Sequence, residues 1–303
     1  MSFTNVLKYG LVSQGVACIP DTPYNPILPT LAAGDFKTMA ATSWTTLSTW
    51  NVYSGDTWIA ATKYPTQVAN QGYVNILHNV YFLPTTNIND GYIVNAAALT
   101  AISSKIINVA KNIYLINGGR LIVNSSRNLY CYLRGDLVLI SGIIGSITST
   151  GTGNLEFHIC GGKVQQYYAD SITYNRKVQF FIKDNSIFKM DNYIIPSTCT
   201  GAFTLNAGCG LIIGSPSGIT SSGAAGNIQT TGTRTFSTGA DYTYNMSNGT
   251  QYTGNGLPTT VRNLSFTGCK KTMVLSNNIT VTGTYTINPS VKVNLNGFTL
   301  TLP

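Results

Sequence analysis

The chain has 303 residues and a net charge of +8, with 9% charged and 43% hydrophobic residues. Its polar share lies in uncharged side chains, with 40 Thr, 29 Asn and 30 Gly against a single Glu, Glu156. This excludes disorder, which needs low hydrophobicity and high charge. It also argues against helical bundles, coiled coils and doubly wound α/β folds, whose solvated faces draw on Glu, Lys and Ala.

Thr, Val, Ile and Tyr favour strands, and Asn and Gly favour tight turns. The expectation is an all-β chain with ample length for a buried core. Charge by segment is −1 over residues 1–100, +5 over 101–200 and +4 over 201–303. The longest basic run is Lys270-Lys271. Nucleic-acid binders concentrate Lys and Arg in a patch or arm, so specific nucleic-acid binding is not expected. A mildly cationic surface suits anionic glycans or other proteins. No apolar stretch reaches the roughly 18 residues of a membrane-spanning helix. Lys8 and Gln14 interrupt the first apolar run, which reads against a signal peptide. The expectation is that the secretion information lies elsewhere, or that the chain is a segment of something longer.

In chain order, residues 1–33 carry the proline cluster Pro20, Pro23, Pro26 and Pro29 and read as an extended linker or a strap lying on a neighbour. Residues 34–72 hold Trp44, Trp50 and Trp58 and read as a Trp-rich cap. Residues 73–303 show short apolar runs between Asn, Gly and Ser turns. Ile113, Leu121, Leu129 and Leu137 begin successive runs spaced by eight. Three such strands make a unit of about 24 residues, near one turn of a solenoid whose rungs stack at about 4.8 Å. Two-residue hairpin turns such as Asn117-Gly118 and Asn248-Gly249 are too few for a sandwich of hairpins. Single Asn corners at Asn108, Asn112, Asn124 and Asn128 suit a right-handed parallel β-helix. A sandwich is the alternative.

The six cysteines, Cys18, Cys131, Cys160, Cys199, Cys209 and Cys269, form no CxxC pair. They read as small buried hydrophobes, with a Cys199–Cys209 disulfide as the minor alternative. The two histidines, His78 and His158, do not form a metal-binding HExxH motif, and no calcium loop, Walker A or GxSxG motif occurs. No catalytic, cofactor or metal residue is assigned.

Glycoside hydrolysis needs two carboxylates on one cleft. The best such candidates are Asp136 with Glu156 and Asp170 with Asp191, spaced for stacking on adjacent turns, with Lys163, Arg176 and His158 near in sequence. The aromatic residues are the better lead, in Tyr130/Tyr132, Tyr167/Tyr168 and Tyr242/Tyr244. The candidate contact surface is Lys163, Tyr167, Tyr168, Arg176, Lys177, Lys183, Lys189 and Tyr193.

Residues 201–303 carry the phrases Leu211-Ile-Ile-Gly-Ser-Pro-Ser-Gly-Ile219, Gly232-Thr-Arg-Thr-Phe-Ser-Thr-Gly-Ala-Asp-Tyr-Thr-Tyr-Asn245, Thr253-Gly-Asn-Gly-Leu-Pro258, Ile279-Thr-Val-Thr-Gly283 and Leu295-Asn-Gly-Phe-Thr-Leu300. In these the chain resembles the repetitive β-helical surface proteins of Bacteroidota, the adhesin-like substrates of type IX secretion. Residues 34–82 are similar to their opening module, through Gly34-Asp-Phe36, Ser43-Trp44 and Trp58-Ile-Ala-Ala61. Residues 90–200 depart from the pattern, with Tyr, Lys, Arg and Cys in place of plain Gly, Thr and Val rungs.

The resemblance implies a right-handed β-helix, an extracellular or cell-surface location, and a structural or adhesive role without catalytic residues. Its expected partners are copies of itself, further stacked repeats after Leu300-Thr-Leu-Pro303, or surface glycans. The alternatives are a β-helix polysaccharide lyase or hydrolase and a phage tail-spike-like adhesin.

Overall fold

The computed structural model describes residues 24–41, 43–65, 73–78, 80–82, 86–87, 91–95, 97–101, 104–124, 126–146, 152–175 and 177–303. Among these, the chain is a parallel β-solenoid with no α-helix. Among the described residues, no helix is long and apolar enough to cross a membrane.

Three strands make one turn, as the run Ile113–Ile116, Gly119–Val123 and Leu129–Leu133 shows. The next turn begins at Leu137, which pairs in parallel with Ile113. The spacing by eight read from the sequence is therefore the strand repeat within a turn. Other turns differ in circumference because their corners differ in length. Tyr73 meets Gly91 after a short turn, whereas Gly210 meets Asp241 only after a long one. Parallel pairing leaves corners, not hairpins, between strands. Asn117 (φ 51°) and Gly118 (φ 79°) turn one such corner in the left-handed region, which Asn and Gly tolerate.

Each strand sends alternate side chains inward. The register stacks these into ladders that run across the rungs. Ile107, Cys131, Phe157, Phe180 and Phe203 form one ladder, each no more than 1% exposed. Val109, Leu133, Ile159, Ile182 and Leu205 form the next. Fully burying one such side chain contributes about 1.5–3 kcal/mol. Repeating the burial at every rung is what makes a narrow rod of short strands stable.

Cys131, Cys160, Cys199 and Cys209 are free and buried, so the Cys199–Cys209 disulfide does not form. Cys199 instead donates its thiol to the Val178 carbonyl at 3.0 Å. Cys269 is disulfide-bonded. Cys18 lies outside the described residues.

The Trp-rich segment closes the N-terminal end. Phe36–Thr38, Trp50–Tyr53 and Trp58–Ala60 form an antiparallel meander, and Phe36–Thr38 also pairs in parallel with Tyr73–Ile76. Trp44 and Trp50 are each 1% exposed with ring centroids 4.8 Å apart, and Trp50 Nε1–H donates to the Trp44 carbonyl at 2.8 Å. Asp35 fastens the meander to the solenoid: its buried carboxylate accepts the Ala32 and Tyr73 amides at 2.9 and 2.6 Å. Thr38 Oγ1 accepts the amides of Leu77 and His78 at 2.8 and 3.0 Å.

Candidate contact surface

The residues read from the sequence as one contact surface are distributed over different faces. Tyr167 points inward. It is fully buried, its ring packs against Phe180 and Phe188, and its hydroxyl meets Tyr174 and the Ile194 carbonyl. It belongs to the core and cannot act as a contact residue. Strand alternation decides this, because Tyr168, one residue on, points out. Burial pushes the phenols of Tyr167 and Tyr174 far up, followed for Tyr167 by the charge of Tyr174. Both hydroxyls therefore stay protonated inside the rod.

Lys183 lies at the end of Val178–Ile182, with Nζ 5.5 Å from the Phe181 ring. Lys189 pairs with Asp191 at 3.6 Å. Lys163 and Lys177 are exposed, and Arg176 lies outside the described residues. Proximity in sequence over 163–193 is therefore not proximity in space.

Tyr168 and Tyr193 do come together, with centroids 4.4 Å apart. They belong to a longer outer face on the large parallel sheet. Tyr114, Val138 and Tyr168 are register partners on adjacent rungs, and Tyr73 lies 6.0 Å from Tyr114. Tyr24 covers this face. It packs on Tyr168 at 5.9 Å, Tyr193 Oη–H donates to its carbonyl at 3.5 Å, and Tyr114 Oη–H donates to the Ile27 carbonyl at 3.2 Å. Val138 is 0% exposed although it points out of the rod, because a second, external core forms under this cover. Burial, then the Asp136 carboxylate, pushes the Tyr24 phenol up. Burial, then Tyr114, raises Tyr73 to about 12; burial, then Tyr168, raises Tyr193 to about 12.

The seven-stranded sheet carries a second aromatic array, in which Tyr130, Tyr132 and Phe181 are half-buried and His158 is buried. The outward positions of this sheet form two rows across the rungs. One row holds Ile106, Tyr130, Glu156 and Gln179; the other holds Asn108, Tyr132, His158, Phe181, Thr204 and Thr235. The His158 ring is sandwiched between Tyr132 (4.5 Å, 12°) and Phe181 (5.0 Å, 13°). His158 Nε2 lies 3.3 Å from Glu156 Oε2, within hydrogen-bond distance. Gln179 Nε2–H donates to Glu156 Oε1 at 3.4 Å. His158 Nδ1 is buried without a hydrogen-bond partner among the described residues.

The array is a rigid block of stacked rings with a carboxylate, an amide and the Lys183 ammonium at its margins. The sequence shows Tyr130, Tyr132 and His158 one by one. What joins them is the register. The step from Tyr132 to His158 is longer than the step from His158 to Phe181, because the corners between them differ.

The Asp136–Glu156 pair expected from spacing does not stack. Glu156 has Tyr130 and Gln179 as its rung neighbours. Asp136 sits at a corner, accepting the Gln166 amide at 2.8 Å. Asp170 lies on the large sheet, on a different face from Glu156. Among the described residues, no three His, Cys, Asp or Glu side chains gather as a metal site requires.

No protein-family model, curated protein or solved structure matches the chain. The structure itself sets the class, a parallel β-solenoid of stacked repeats.

Proposed function

We propose that this chain is a secreted, cell-surface structural or adhesive protein without catalytic activity. Its solenoid is a rigid rod that presents aromatic faces to surface glycans or to neighbouring copies. The observation that carries this reading is the outward array Tyr132–His158–Phe181, fixed by sheet register and flanked by Glu156, Gln179 and Lys183. Aromatic groups held rigid before binding lose little entropy on contact. Thr and Asn around them supply hydrogen bonds without net charge. The likeness of residues 201–303 to Bacteroidota surface proteins supports the extracellular location and the adhesive role.

The test is retention of the chain at the cell surface, compared with a Tyr132→Ala/Phe181→Ala variant shown by circular dichroism to keep its β content. The expected result is surface retention of the parent chain and about tenfold less of the variant. Equal retention, or a parent chain that stays inside the cell, contradicts the reading.

A further inference from the structure

The connection between Gly210–Ile213 and Arg234–Phe236 is a long excursion, and it accounts for the wide separation in sequence between Gly210 and its rung partner Asp241. Insertions in solenoid repeats map to loops on one face, often the face that binds. Here the excursion is rigidly held. Asn227, 1% exposed, donates Nδ2–H to the carbonyls of Asp191 and Tyr193 at 2.7 Å each and accepts the Ser215 amide at 3.0 Å. Arg234 donates to Thr220 Oγ1, the Thr220 carbonyl and the Gly223 carbonyl at 2.8, 3.1 and 2.6 Å. Gly226 (φ 78°) passes so close that a Cβ there would meet the Gly218 carbonyl at 2.5 Å.

Between this loop and the rod wall lies a cleft of about 580 Å³, within the usual range of small-molecule sites. Asn192, Asn248, Ser217 and Ser247 line it, with Ile194 and Met246 as apolar wall. No lining residue is charged. The side-chain amides of Asn192 and Asn248 and the hydroxyls of Ser217 and Ser247 make no hydrogen bond to another described residue. Asn227 and Arg234 thus hold the excursion in place, while Asn192, Asn248, Ser217 and Ser247 keep donors and acceptors in hand. The nearby charges are engaged elsewhere: Asp191 by Lys189, Gln166 and Asn245, and Arg234 by the excursion itself.

We infer that this cleft binds a neutral saccharide. An amide offers both a donor and an acceptor, the complement of a sugar hydroxyl. Ile194 and Met246 give the apolar face of a pyranose a surface to rest on. An anionic sugar would lose hydration without gaining an ion pair. Without an aromatic platform in the lining, the site is weak, with a Kd of about 1 mM. The inference rests on the adhesive reading above and names the ligand class of a second contact site.

The test titrates the full chain with cellobiose, maltose, lactose and N,N′-diacetylchitobiose, and with digalacturonate as the anionic comparison, up to about 10 mM, where a site of about 1 mM Kd is nine-tenths filled. Binding is followed by saturation-transfer NMR. At least one neutral disaccharide is expected to bind, about tenfold weaker after Asn192→Ala/Asn248→Ala, and not at all after Ser217→Trp, which fills the cleft from its rim. All of these titrations are made in the Tyr132→Ala/Phe181→Ala background, which removes the aromatic array as a sugar contact, so that the binding read is that of the cleft and the two sites fail separately. Absence of any neutral binding, preference for digalacturonate, or binding that survives both cleft variants overturns the inference.

Discussion

At the scale of the residue, the position of a side chain in the register decides its role more than its identity does. Tyr167 and Tyr168 are adjacent, yet one is in the core and the other on the external face. His158 is an outward residue made nearly inaccessible by its two ring neighbours. Removing its ring with His158→Ala is expected to cost about 1–3 kcal/mol, the worth of two stacked aromatic pairs. His158→Phe is expected to restore most of that loss, since it keeps both stacks and gives up only the Glu156 bond. Denaturant unfolding of the two variants measures the difference. Equal losses would mean that the Glu156 bond, and not the stacking, holds the array.

The candidate site is partly legible in the sequence at this scale. Tyr168 and Tyr193, singled out as contact residues, do pair. Tyr167 is misplaced by sequence alone, because the outward phase of a strand cannot be fixed without knowing where its bulges and corners fall. The outward array escapes a sequence reading because the steps from Tyr132 to His158 and from His158 to Phe181 are unequal, and no constant period connects the three rings.

At the scale of the element, two structures show how the rod is built and covered. In the inner Phe157–Phe180–Phe203 ladder, Phe180 has a phenyl ring as its partner on each neighbouring rung. Phe180→Ala is expected to destabilise the chain by about 3–5 kcal/mol, read as a lowered unfolding midpoint. A loss under about 1 kcal/mol would mean that the ladder is not a packed core.

The outer cover is the segment from Tyr24 to Ile27. From the sequence, residues 1–33 read as a linker or as a strap lying on a neighbour. The described part lies on the chain's own tyrosine face, and residues 1–23 lie outside the described residues. The phenols of Tyr73 and Tyr193 are raised from 10.0 to about 12. A phenol raised on folding stabilises the folded state fully below pH 10, and that contribution is lost as pH rises through about 12. Phenolate absorbance should therefore show a fraction of tyrosines ionising only near pH 12. Tyr24→Ala should return part of that fraction towards pH 10. A single transition near pH 10 in the parent chain would contradict the covered face.

At the scale of the whole molecule, composition, the spacing of apolar runs by eight and the Asn corners are enough to give an all-β parallel solenoid. The low charge has a physical reason in the structure. Thr and Asn line the outside of stacked strands, where a globule would carry Glu and Lys. The variable corners are not legible, because a corner of any length leaves the inward alternation of the next strand intact. They include the excursion that forms the uncharged cleft. The contact faces, the cover and the cleft all depend on one arrangement, parallel rungs stacked in the stated register.

Distances between spin labels measure that arrangement most directly. Asn108, Phe181, Thr204 and Thr235 share one outward row, with Phe181 three rungs from Asn108, Thr204 four and Thr235 five. With one genetically encoded label at Asn108 and the second moved along the row, the separation should grow by about 4.8 Å per rung, reaching about 24 Å at Thr235. Separations that fail to rise stepwise from Phe181 to Thr235 would contradict the solenoid and every face built on it.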